Sequence, residues 1–424
     1  MARNMKDSGI EWIGEIPEGW ETCLYKYCCS VQPGYPFDSA KFSNSSTDGF
    51  PLIRIRDITS GEIQTYYTGE YPPNYIVTAG DLLVGMDGDF NVRWWNNDAA
   101  LLNQRCCRVT EKDSVLRRFL YYVLPFTLQH INTLTYATTV KHLANGDILN
   151  SFIAFPSLPA QQNIVHYLDT VCSEIDAMLS KTRSSIEEYK KLKQSVITQA
   201  VTKGVRGERE MKDSGVDWIG EIPKEWSTPK IKRLHNGLTD GTHGTFNRID
   251  SGHILLSSKN VREFGIQLGE NESFISEADY NLITANGFPQ KDDVLLCCIG
   301  ASIGRCTLYE FEEAMAFQRS VIFIRCNSLI LPRMMMYDLR SSNTLLQEQL
   351  LVNQSAQAGL YQGLVSEIFI SLPPISEQKE IIAYLDAKCA EIDRLIAKKE
   401  QLVKELEGYK KSLIYEVVTG KREV

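Results

Sequence analysis

Two long stretches of the chain carry apolar residues at helical spacing. Residues 160–203 contain no glycine or proline, and residues from 375 to about 419 follow a double proline, so each stretch predicts one long helix. The two apolar stripes match in phase at an offset of 217 residues, which favours pairing of the helices in an antiparallel coiled coil. Packing of each helix on its own domain is the alternative. The predicted helix–helix interface comprises Leu168, Ile175, Tyr189, Leu192, Leu385, Ile392, Leu406 and Leu413, and the stripe is completed by residues such as Val171, Met178, Leu402 and Tyr409.

Shorter patterns outside these helices indicate mixed α and β structure. Residues 52–56 and 321–325 alternate between apolar and other side chains, as half-buried strands do, so Arg54 and Arg56 are expected on one strand face. Turns at 80–81 and 292–293 are expected to enter buried strands, and glycine turns such as Asp87-Gly88 are expected to divide the strands. Segments 114–134 and 333–351 predict shorter helices.

The chain is an internal repeat. Residues 5–20 (MKDSGIEWIGEIPEGW) and 211–226 (MKDSGVDWIGEIPKEW) are identical at 12 of 16 positions. Residues 164–176 (IVHYLDTVCSEID) likewise match 381–393 (IIAYLDAKCAEID). The intervening inserts share little sequence, which favours one pseudo-twofold scaffold presenting two different recognition surfaces over neutral drift after duplication.

The two ends of the chain read like its central junction. Residues 418–424 (VTGKREV) followed by 1–9 (MARNMKDSG) resemble residues 201–215 (VTKGVRGEREMKDSG), which predicts that the termini lie close together. The first residues lack the apolar stretch of a secretory signal, and no apolar run is long enough for a membrane span. We therefore expect a cytoplasmic protein without a membrane partner.

Composition narrows the class of protein. A hydrophobic fraction of 43% excludes a disordered chain, and eleven cysteines without a Cys-x-x-Cys pair predict reduced, buried thiols. The formal charge of −8 argues against a stand-alone DNA clamp. Divided by region, however, the long helices sum to +2 and 0 and the inserts to −2 and −3, so no insert is strongly acidic.

Motifs for catalysis are absent from the sequence. It contains no Walker-A loop, no dinucleotide-binding glycine fingerprint, no Asn-Pro-Pro-Tyr-type signature of amino-methyltransferases and no His-Glu-x-x-His metal motif. We therefore predict no catalytic or metal-binding residues.

The inserts instead place polar and basic side chains in predicted loops, where such groups can read base edges or bind phosphates. The candidate DNA-binding residues are Arg54, Arg56, Arg93, Arg105, Lys141, His142, Thr242, His243, Thr245, Lys259, Asn260, Arg305, Arg319 and Gln357. Similar elements are expected to recur in both inserts, Gly85 with Gly300 and Gln104-Arg105 with Gln318-Arg319.

As an ordered set these motifs resemble the specificity subunits of type I restriction-modification systems, over the whole chain. The matching elements are the repeated Asp-Ser-Gly-x-x-Trp-Ile-Gly segments, the Tyr-Leu-Asp helices, the Asp240-Gly241-Thr242-His243-Gly244 and Asn103-Gln104-Arg105 loops, and the Val-Thr-Gly-Lys ending. Two departures are small: Ser157-Leu158-Pro159-Ala160 replaces a double proline, and Lys203-Gly204 reverses Gly-Lys.

The resemblance implies an α+β fold, with two mixed α/β target recognition domains separated by a long antiparallel two-helix coiled coil. The implied divisions are 1–156 (linker and recognition domain 1), 157–207 (spacer helix 1), 208–373 (linker and recognition domain 2) and 374–424 (spacer helix 2).

The resemblance also implies a function. Each recognition domain would read half of a bipartite, asymmetric site in double-stranded DNA, and the helices would set the spacing. Two modification (methyltransferase) subunits, which methylate adenine at N6, would dock on the frame. Two restriction subunits can join them and add ATP-driven translocation and cleavage. S-adenosylmethionine, ATP and Mg would bind to those partners and no cofactor to this chain. Two alternatives stay open, a structural coiled-coil protein whose inserts bind proteins and a nuclease or methyltransferase in its own right.

Overall fold

The computed structural model describes residues 3–134, 141–353 and 359–424. The chain forms two compact units: unit 1 comprises residues 1–182 and 402–424, and unit 2 comprises residues 183–401. Each unit therefore contains one copy of the repeated segment, residues 5–20 or 211–226, which we call the frame motif. Each also contains one insert and a part of each long helix. We refer to residues 21–155 as insert 1 and to residues 227–372 as insert 2.

The elements of the described residues alternate between short strands and helices. The helices are α1 (Tyr25–Cys28), α2 (Ile55–Ser60), α3 (Arg117–Leu134), α4 (Asn145–Leu149), α5 (Leu158–Lys203), α6 (Glu277–Thr284), α7 (Pro332–Leu339), α8 (Ser342–Asn353), α9 (Gln362–Glu367) and α10 (Ile375–Val418). The strands of unit 1 are β1 (Met5–Asp7), β2 (Glu15–Pro17), β3 (Glu21–Leu24), β4 (Cys29–Pro33), β5 (Phe42–Ser43), β6 (Phe50–Ile53), β7 (Tyr66–Tyr67), β8 (Ile76–Val77), β9 (Leu82–Gly85), β10 (Val92–Trp94), β11 (Ala100–Leu102), β12 (Cys106–Glu111) and β13 (Phe152–Phe155). The strands of unit 2 are β14 (Met211–Asp213), β15 (Glu221–Pro223), β16 (His235–Asp240), β17 (His253–Leu256), β18 (Val261–Arg262), β19 (Gly265–Ile266), β20 (Phe274–Ile275), β21 (Val294–Cys297), β22 (Cys306–Leu308), β23 (Ala316–Phe317) and β24 (Val321–Cys326).

The two inserts share one sheet topology although their sequences diverge. Insert 1 has an antiparallel sheet of order β10-β9-β12-β4, and insert 2 has the matching order β22-β21-β24-β16. A second sheet in each insert contains one parallel pair, β6 with β11 and β17 with β23. The repeat therefore extends through the inserts, and the predicted mixed α/β architecture is confirmed.

A wholly apolar strand occupies the centre of each insert. In insert 1, Leu82 and Val84 pack in one core with Phe119 of α3, while Leu83 packs in a second core with Ile53 and other residues of the second sheet. The strand is covered on both faces, which explains an apolar run without alternation.

The repeated frame motif folds into a tight turn in both units. Gly9 N donates to Asp7 Oδ1 at 3.0 Å, and Gly215 N donates to Asp213 Oδ1 at 2.9 Å. Gly9 and Gly215 adopt left-handed backbone angles, φ +69° and +74°, which glycine tolerates at little cost. The same local geometry therefore requires the same Asp-Ser-Gly sequence twice.

The end of α10 packs on the first frame motif. Lys421 Nζ donates to Glu15 O at 3.4 Å, and the Tyr415 hydroxyl donates to Trp12 O at 2.9 Å. In unit 2, Lys203 Nζ reaches the equivalent carbonyl of Glu221 at 2.9 Å. The lysine contact with the frame motif is thus kept although Lys203-Gly204 reverses the usual order. The last residues of the chain lie against the first frame motif, near the start of the chain, as predicted.

The long helices pair side by side within each unit. In unit 1, Leu168 and Ile175 of α5 share a core with Leu413 of α10. In unit 2, Ile197 shares a core with Leu385. Equivalent ion pairs join the helices: Lys410 Nζ lies 2.6 and 2.7 Å from the Asp176 carboxylate oxygens, and Lys193 Nζ lies 2.7 Å from both oxygens of Asp393. These pairs join early positions of one helix to late positions of the other, which confirms the antiparallel arrangement.

Part of the predicted interface is wrong by one residue. Leu192 is 48% exposed and Met178 is 54% exposed, whereas the next residues in the chain, Lys193 and Leu179, are buried. In α10, Leu402 and Tyr409 are likewise exposed. Among the predicted interface residues, the buried ones are Leu168, Ile175, Leu385, Ile392 and Leu413, and the partly buried ones are Tyr189 and Leu406. The buried stripe consists of pairs of positions, and the second position of each pair lies four residues after the first, rather than three as predicted. Cys172 and Lys193 are therefore buried, although the more apolar residues that precede them in the chain are not.

Replacement of Ile175 by Ala tests the corrected stripe. Ile175 is 5% exposed, so we expect Ile175→Ala to lower the free energy of unfolding by about 2–5 kcal/mol through a cavity. Met178→Ala is the matched control on the same helix and should change it by less than about 0.5 kcal/mol. Urea denaturation followed by circular dichroism measures both, and an equal loss in the two variants would contradict this register.

One buried glutamine in each unit ties the insert to the start of a long helix. Gln161 Oε1 accepts from Leu116 N at 2.9 Å, and its Nε2 donates to Ser114 O at 3.0 Å. Gln378 makes the same contacts with Leu331 N, at 2.8 Å, and Leu329 O, at 2.9 Å. Because these bonds involve the backbone of the insert, they hold inserts of different sequence in the same way.

The Tyr-Leu-Asp motifs make a second link. Arg118 Nε and the Tyr122 hydroxyl donate to Asp169 Oδ1 at 2.8 and 2.6 Å. In unit 2 the equivalent Asp386 accepts from Tyr337 at 2.6 Å and lies 3.0 Å from Arg333. The carboxylate of each motif therefore contacts a helix of its own insert.

Two local expectations differ from the structure. The strand expected at 52–56 ends at Ile53, because Asp57 Oδ2 accepts from Arg54 N at 2.8 Å and caps α2. Arg54 and Arg56 therefore do not share a strand face. The segment 333–351 forms two helices instead of one, α7 and α8.

Glu348 makes the stability of unit 2 depend on pH. It is 1% exposed, its Oε1 has no hydrogen-bond partner, and burial raises its pKa to about 8. A carboxyl whose pKa is raised on folding favours the folded state less as pH rises from the unfolded pKa, about 4.3, to the folded pKa. Glu348→Gln should therefore raise the melting temperature at pH 9 more than at pH 5. Exposed Glu310→Gln is the control, and equal gains at both pH values would contradict the assignment.

All eleven cysteines are free thiols, and nine of them are buried. Burial raises the pKa of Cys106 to about 12 and disfavours its thiolate. Among the described residues, no helix is long and apolar enough to cross a bilayer.

Candidate nucleic-acid interface

Three chain segments of insert 1 meet at one end of its four-stranded sheet. Asp87 follows β9, Arg105 precedes β12 and His142 precedes α4. His142 Nδ1 lies 2.7 Å from Asp87 Oδ1 and 3.2 Å from Arg105 Nη1, and the Arg105 and Asp87 atoms lie 3.5 Å apart. We call these three residues site 1. Sequence separations of 18 and 37 residues are bridged by the sheet.

The backbone holds site 1 in place. Met86 N donates to Arg105 O at 2.9 Å, and Leu143 N donates to Met86 O at 2.7 Å. Asp87 and His142 form an isolated antiparallel bridge. The side chains of site 1 are thus arranged by main-chain bonds that do not depend on their identity.

Lys141 lies beside site 1 but is engaged within the insert. Its Nζ donates to Asn132 O at 3.1 Å, and Asn132 Nδ2 donates to Gly88 O at 2.8 Å. Lys141 therefore ties the end of α3 to the loop that carries Asp87.

The remaining basic candidates of insert 1 lie elsewhere. Arg93 donates to Ile58 O and, at 2.6 Å, to Thr59 O, so it caps the carboxyl end of α2. Arg56 donates to Thr65 at 2.9 Å, and Arg54 lies 6.0 Å from the ring of Phe42. Arg93 thus has a structural role, and the structure does not bring these arginines into site 1.

Insert 2 gathers polar side chains around a different loop. Asp240 ends β16, and its Oδ2 lies 2.7 Å from Nε2 of the exposed His243. Its Oδ1 accepts from Gln362 Nε2 at 2.6 Å. We call Asp240, His243 and Gln362 site 2. Both carboxylate oxygens are occupied, so the carboxylate fixes the positions of a histidine and an amide that reach solvent.

The Asp-Gly-Thr-His-Gly loop needs its first glycine. A Cβ on Gly241 would lie 2.3 Å from Gln318 O, and one on Gly34 would lie 2.0 Å from Asn103 O. Parallel bridges join Thr242 to Gln318 and Tyr35 to Asn103. In both inserts the loop backbone therefore lies so close to the residue that follows β11 or β23 that no Cβ atom fits between them.

A cavity of about 430 Å³ opens beside site 2. Its lining combines Asp240 and Thr242 with the aromatic rings of Phe246, Phe288 and Phe317. Rings beside polar loop groups form an amphipathic wall next to the exposed His243.

Other candidates of insert 2 are divided between surface and interior. Asn260 is 1% exposed, because its amide bonds with Ser257 N and Gln267 O inside a turn, and it is therefore not available to DNA. Lys259 pairs with Glu272 at 2.9 Å and holds the pKa of that carboxyl below its usual range. Arg305 donates to Ser258 O at 2.6 Å.

The last four candidates of insert 2 are more varied. Thr245 and Arg319 are exposed, and Thr242 is partly buried. Gln357 lies outside the described residues. Within the described ranges, no three histidine, cysteine or carboxylate groups are placed to hold a metal ion.

The structure changes the expected equivalences between inserts. Gly85 pairs with Cys106 in the strand register, and the matching pair in insert 2 is Cys297 with Val321, so Gly85 corresponds to Cys297 and not to Gly300. The bridges to Tyr35 and Thr242 pair Asn103 with Gln318. Gln104 therefore corresponds to Arg319, one residue from the expected alignment.

Sequence reasoning missed three members of these sites. Asp87 was predicted only as part of a turn, Asp240 only as part of a family-like loop, and Gln362 not at all. The Asp-Gly turns gave a signal for the two carboxylates. Gln362 lies 122 residues from its partner Asp240, and no local pattern indicates that contact.

Comparisons with known proteins agree with this architecture. The family model of the type I restriction modification DNA specificity domain matches residues 17–188 and 255–405. The type I restriction enzyme EcoBI specificity subunit of Escherichia coli is 28% identical over 96% of this chain and 88% of its own length. The MjaVIII specificity subunit of Methanocaldococcus jannaschii is 25% identical over 96% of this chain and 93% of its own.

A solved structure from a type I R-M system has the same fold. One of its chains aligns with a TM-score of 0.68 at 16% identity, over 96% of this chain and 99% of that chain. The matched family domain covers most of both units, and each of its two segments lies within one copy of the internal repeat. The chain therefore belongs to the family of type I restriction-modification DNA specificity subunits and carries two recognition domains.

Proposed function

We propose that this chain reads a bipartite, asymmetric DNA sequence for a methyltransferase complex. Insert 1 reads one half-site and insert 2 reads the other, and the paired helices set the spacing between them. The repeated frame, with its two long helices, docks two modification subunits. S-adenosylmethionine binds to those modification subunits, and ATP and Mg bind to restriction subunits where these join the complex.

The contrast between sites 1 and 2 carries this proposal. The two inserts share strand order and backbone contacts with the helices, yet place different side chains at matching loops. At the position of the Asp87–His142 bridge, insert 2 has Ile299 bridged to Gly359. One scaffold with two reading surfaces suits two identical partner subunits and two different half-sites.

The charge distribution supports a shared role with partners. At −8 overall, the chain attracts phosphates weakly, and non-specific DNA affinity depends on such attraction. Partner subunits would supply much of the phosphate neutralisation, while this chain supplies base contacts.

Reconstitution tests the proposal. Sequencing of methylated adenines in source cells defines the motif, and gel shifts then compare a duplex carrying it with duplexes that have either half scrambled. We expect tight binding only with modification subunits present and only when both halves are intact. Equal binding to all duplexes would favour a structural coiled-coil protein, and methylation by the purified chain alone would contradict a non-catalytic subunit.

A further inference from the structure

Arg105 is an exposed arginine of insert 1, as Arg54 and Arg56 are, and it differs from those two in lying beside both Asp87 and His142. Its side chain is 54% exposed, and its neighbours at site 1 are Asp87 and His142, themselves 26% and 48% exposed. Arginines that instead donate hydrogen bonds to groups of unit 1 are Arg56, Arg93, Arg108, Arg117 and Arg118. Arg105 thus presents its guanidinium to solvent from the end of the sheet.

The fold does not need the charged groups of site 1. Exposed ion pairs add about 0–1 kcal/mol to stability, and the loops are already held by the main-chain bonds of Met86 and Leu143. Insert 2 builds the same corner without them. Ser320 O accepts from Cys298 N at 3.0 Å, as Arg105 O accepts from Met86 N, and the strand register also places Ser320 at the position of Arg105. A group that stability does not require, held in one orientation, is suited to recognition.

The neighbouring carboxylate favours a base edge over a phosphate as the ligand of Arg105. Asp87 would face any phosphate bound there and repel it, and its negative charge offsets the positive charge of Arg105. The planar guanidinium donates two parallel hydrogen bonds, which match O6 and N7 of guanine in the major groove. Asp87 and His142 hold that plane in place.

We propose that Arg105 reads a guanine in the half-site recognised by insert 1, with Asp87 and His142 as positioning residues. The inference rests on the proposed function and adds one base and one residue to it. It confines the effect of Arg105 to a single position of one half-site.

The test pairs a protein variant with a base analogue. Each guanine of the mapped half-site is replaced in turn by 7-deazaguanine, which lacks the N7 acceptor, and binding by the reconstituted complex is measured. One replacement should weaken binding by wild-type protein about 5- to 150-fold, the range of a paired arginine–guanine contact. Arg105→Ala should weaken binding to the unmodified duplex by a similar factor and be indifferent to that replacement.

Salt dependence separates a base contact from a phosphate contact. Arg105→Ala should keep the slope of log affinity against log salt, and a slope reduced by about one, with equal losses on all duplexes, would overturn the proposal. Arg248→Ala, on an exposed residue of insert 2, is the charge-matched control and should retain sensitivity to the analogue. Asp87→Asn should reduce discrimination at the same guanine and have no further effect in the Arg105→Ala background.

Failure of the inference is distinct from failure of the proposed function. Wild-type complex that shows no preference for the mapped motif would remove the proposed function. A preference for the motif, without any guanine in that half-site whose replacement matters, would overturn only the role of Arg105. Because the analogue is tested on wild-type protein, this outcome does not depend on folding of the variant.

Discussion

Replacement of residues 21–155 by the recognition domain of another specificity subunit is expected to change one half of the methylated sequence and leave the other half unchanged. Insert 1 enters and leaves the frame at neighbouring residues, since Glu21 and Phe155 are partners in the β3–β13 ladder. The exchange therefore cuts the chain at two adjacent points and leaves the helix pair and both frame motifs intact. Methylation of the original sequence should fall by about 10³-fold or more, the lower end of typical DNA specificity ratios.

The contacts between insert and helix define a suitable donor domain. Gln161 bonds to the backbone of residues 114 and 116, which any sequence supplies. Asp169 requires an arginine and a tyrosine side chain at the positions of Arg118 and Tyr122. A donor that lacks them is the matched control and should assemble less stably.

Sequencing of methylated DNA from cells that carry the hybrid gives the result directly. Exchange of residues 227–372, where Ser227 and Leu372 bridge in the same way, should change only the opposite half. A hybrid that alters both halves would show that the inserts do not read independently.

The sequence predicted the frame better than the sites because frame contacts follow local rules. The Asp7-to-Gly9 turn and the phase of the long helices depend on residues within one or two turns of each other. Repetition of the same sequence motifs at fixed offsets then identified the two units. The second stripe position was assigned by apolar character to Leu192, whereas the geometry buries Lys193 with Asp393 as its partner.

The sites depend on contacts that no local pattern encodes. Site 1 joins Asp87, Arg105 and His142 through a sheet, and site 2 joins Asp240 to Gln362 across 122 residues. Residue type alone also misjudged Asn260, whose amide stabilises a buried turn. From sequence alone, a polar loop residue that binds a ligand cannot be told from one that bonds within the fold, because its hydrogen-bond partners are not known.

Insertion of one heptad into both long helices is expected to lengthen the gap between the half-sites by about three base pairs. At 1.5 Å per residue, seven residues add about 10.5 Å, and each base pair adds about 3.4 Å along DNA. The insertion points follow the division of the chain into units, after Thr182 in α5 and after Gln401 in α10. Duplication of residues 176–182 and 395–401 at these points leaves every contact within each unit unchanged.

A heptad preserves the buried stripe on both sides of each insertion, because the stripe itself repeats every seven residues. Insertion into α5 alone is the matched control, since it lengthens one helix without its partner and should reduce methylation at every spacing. Three additional base pairs also turn the second half-site by about 100° around the duplex, so methylation at the new spacing should be slower than wild type. Methylation mapping on a library of spacers measures the preferred gap. An unchanged gap in the double-insertion variant would mean that the helix pair does not set the distance between the recognition domains.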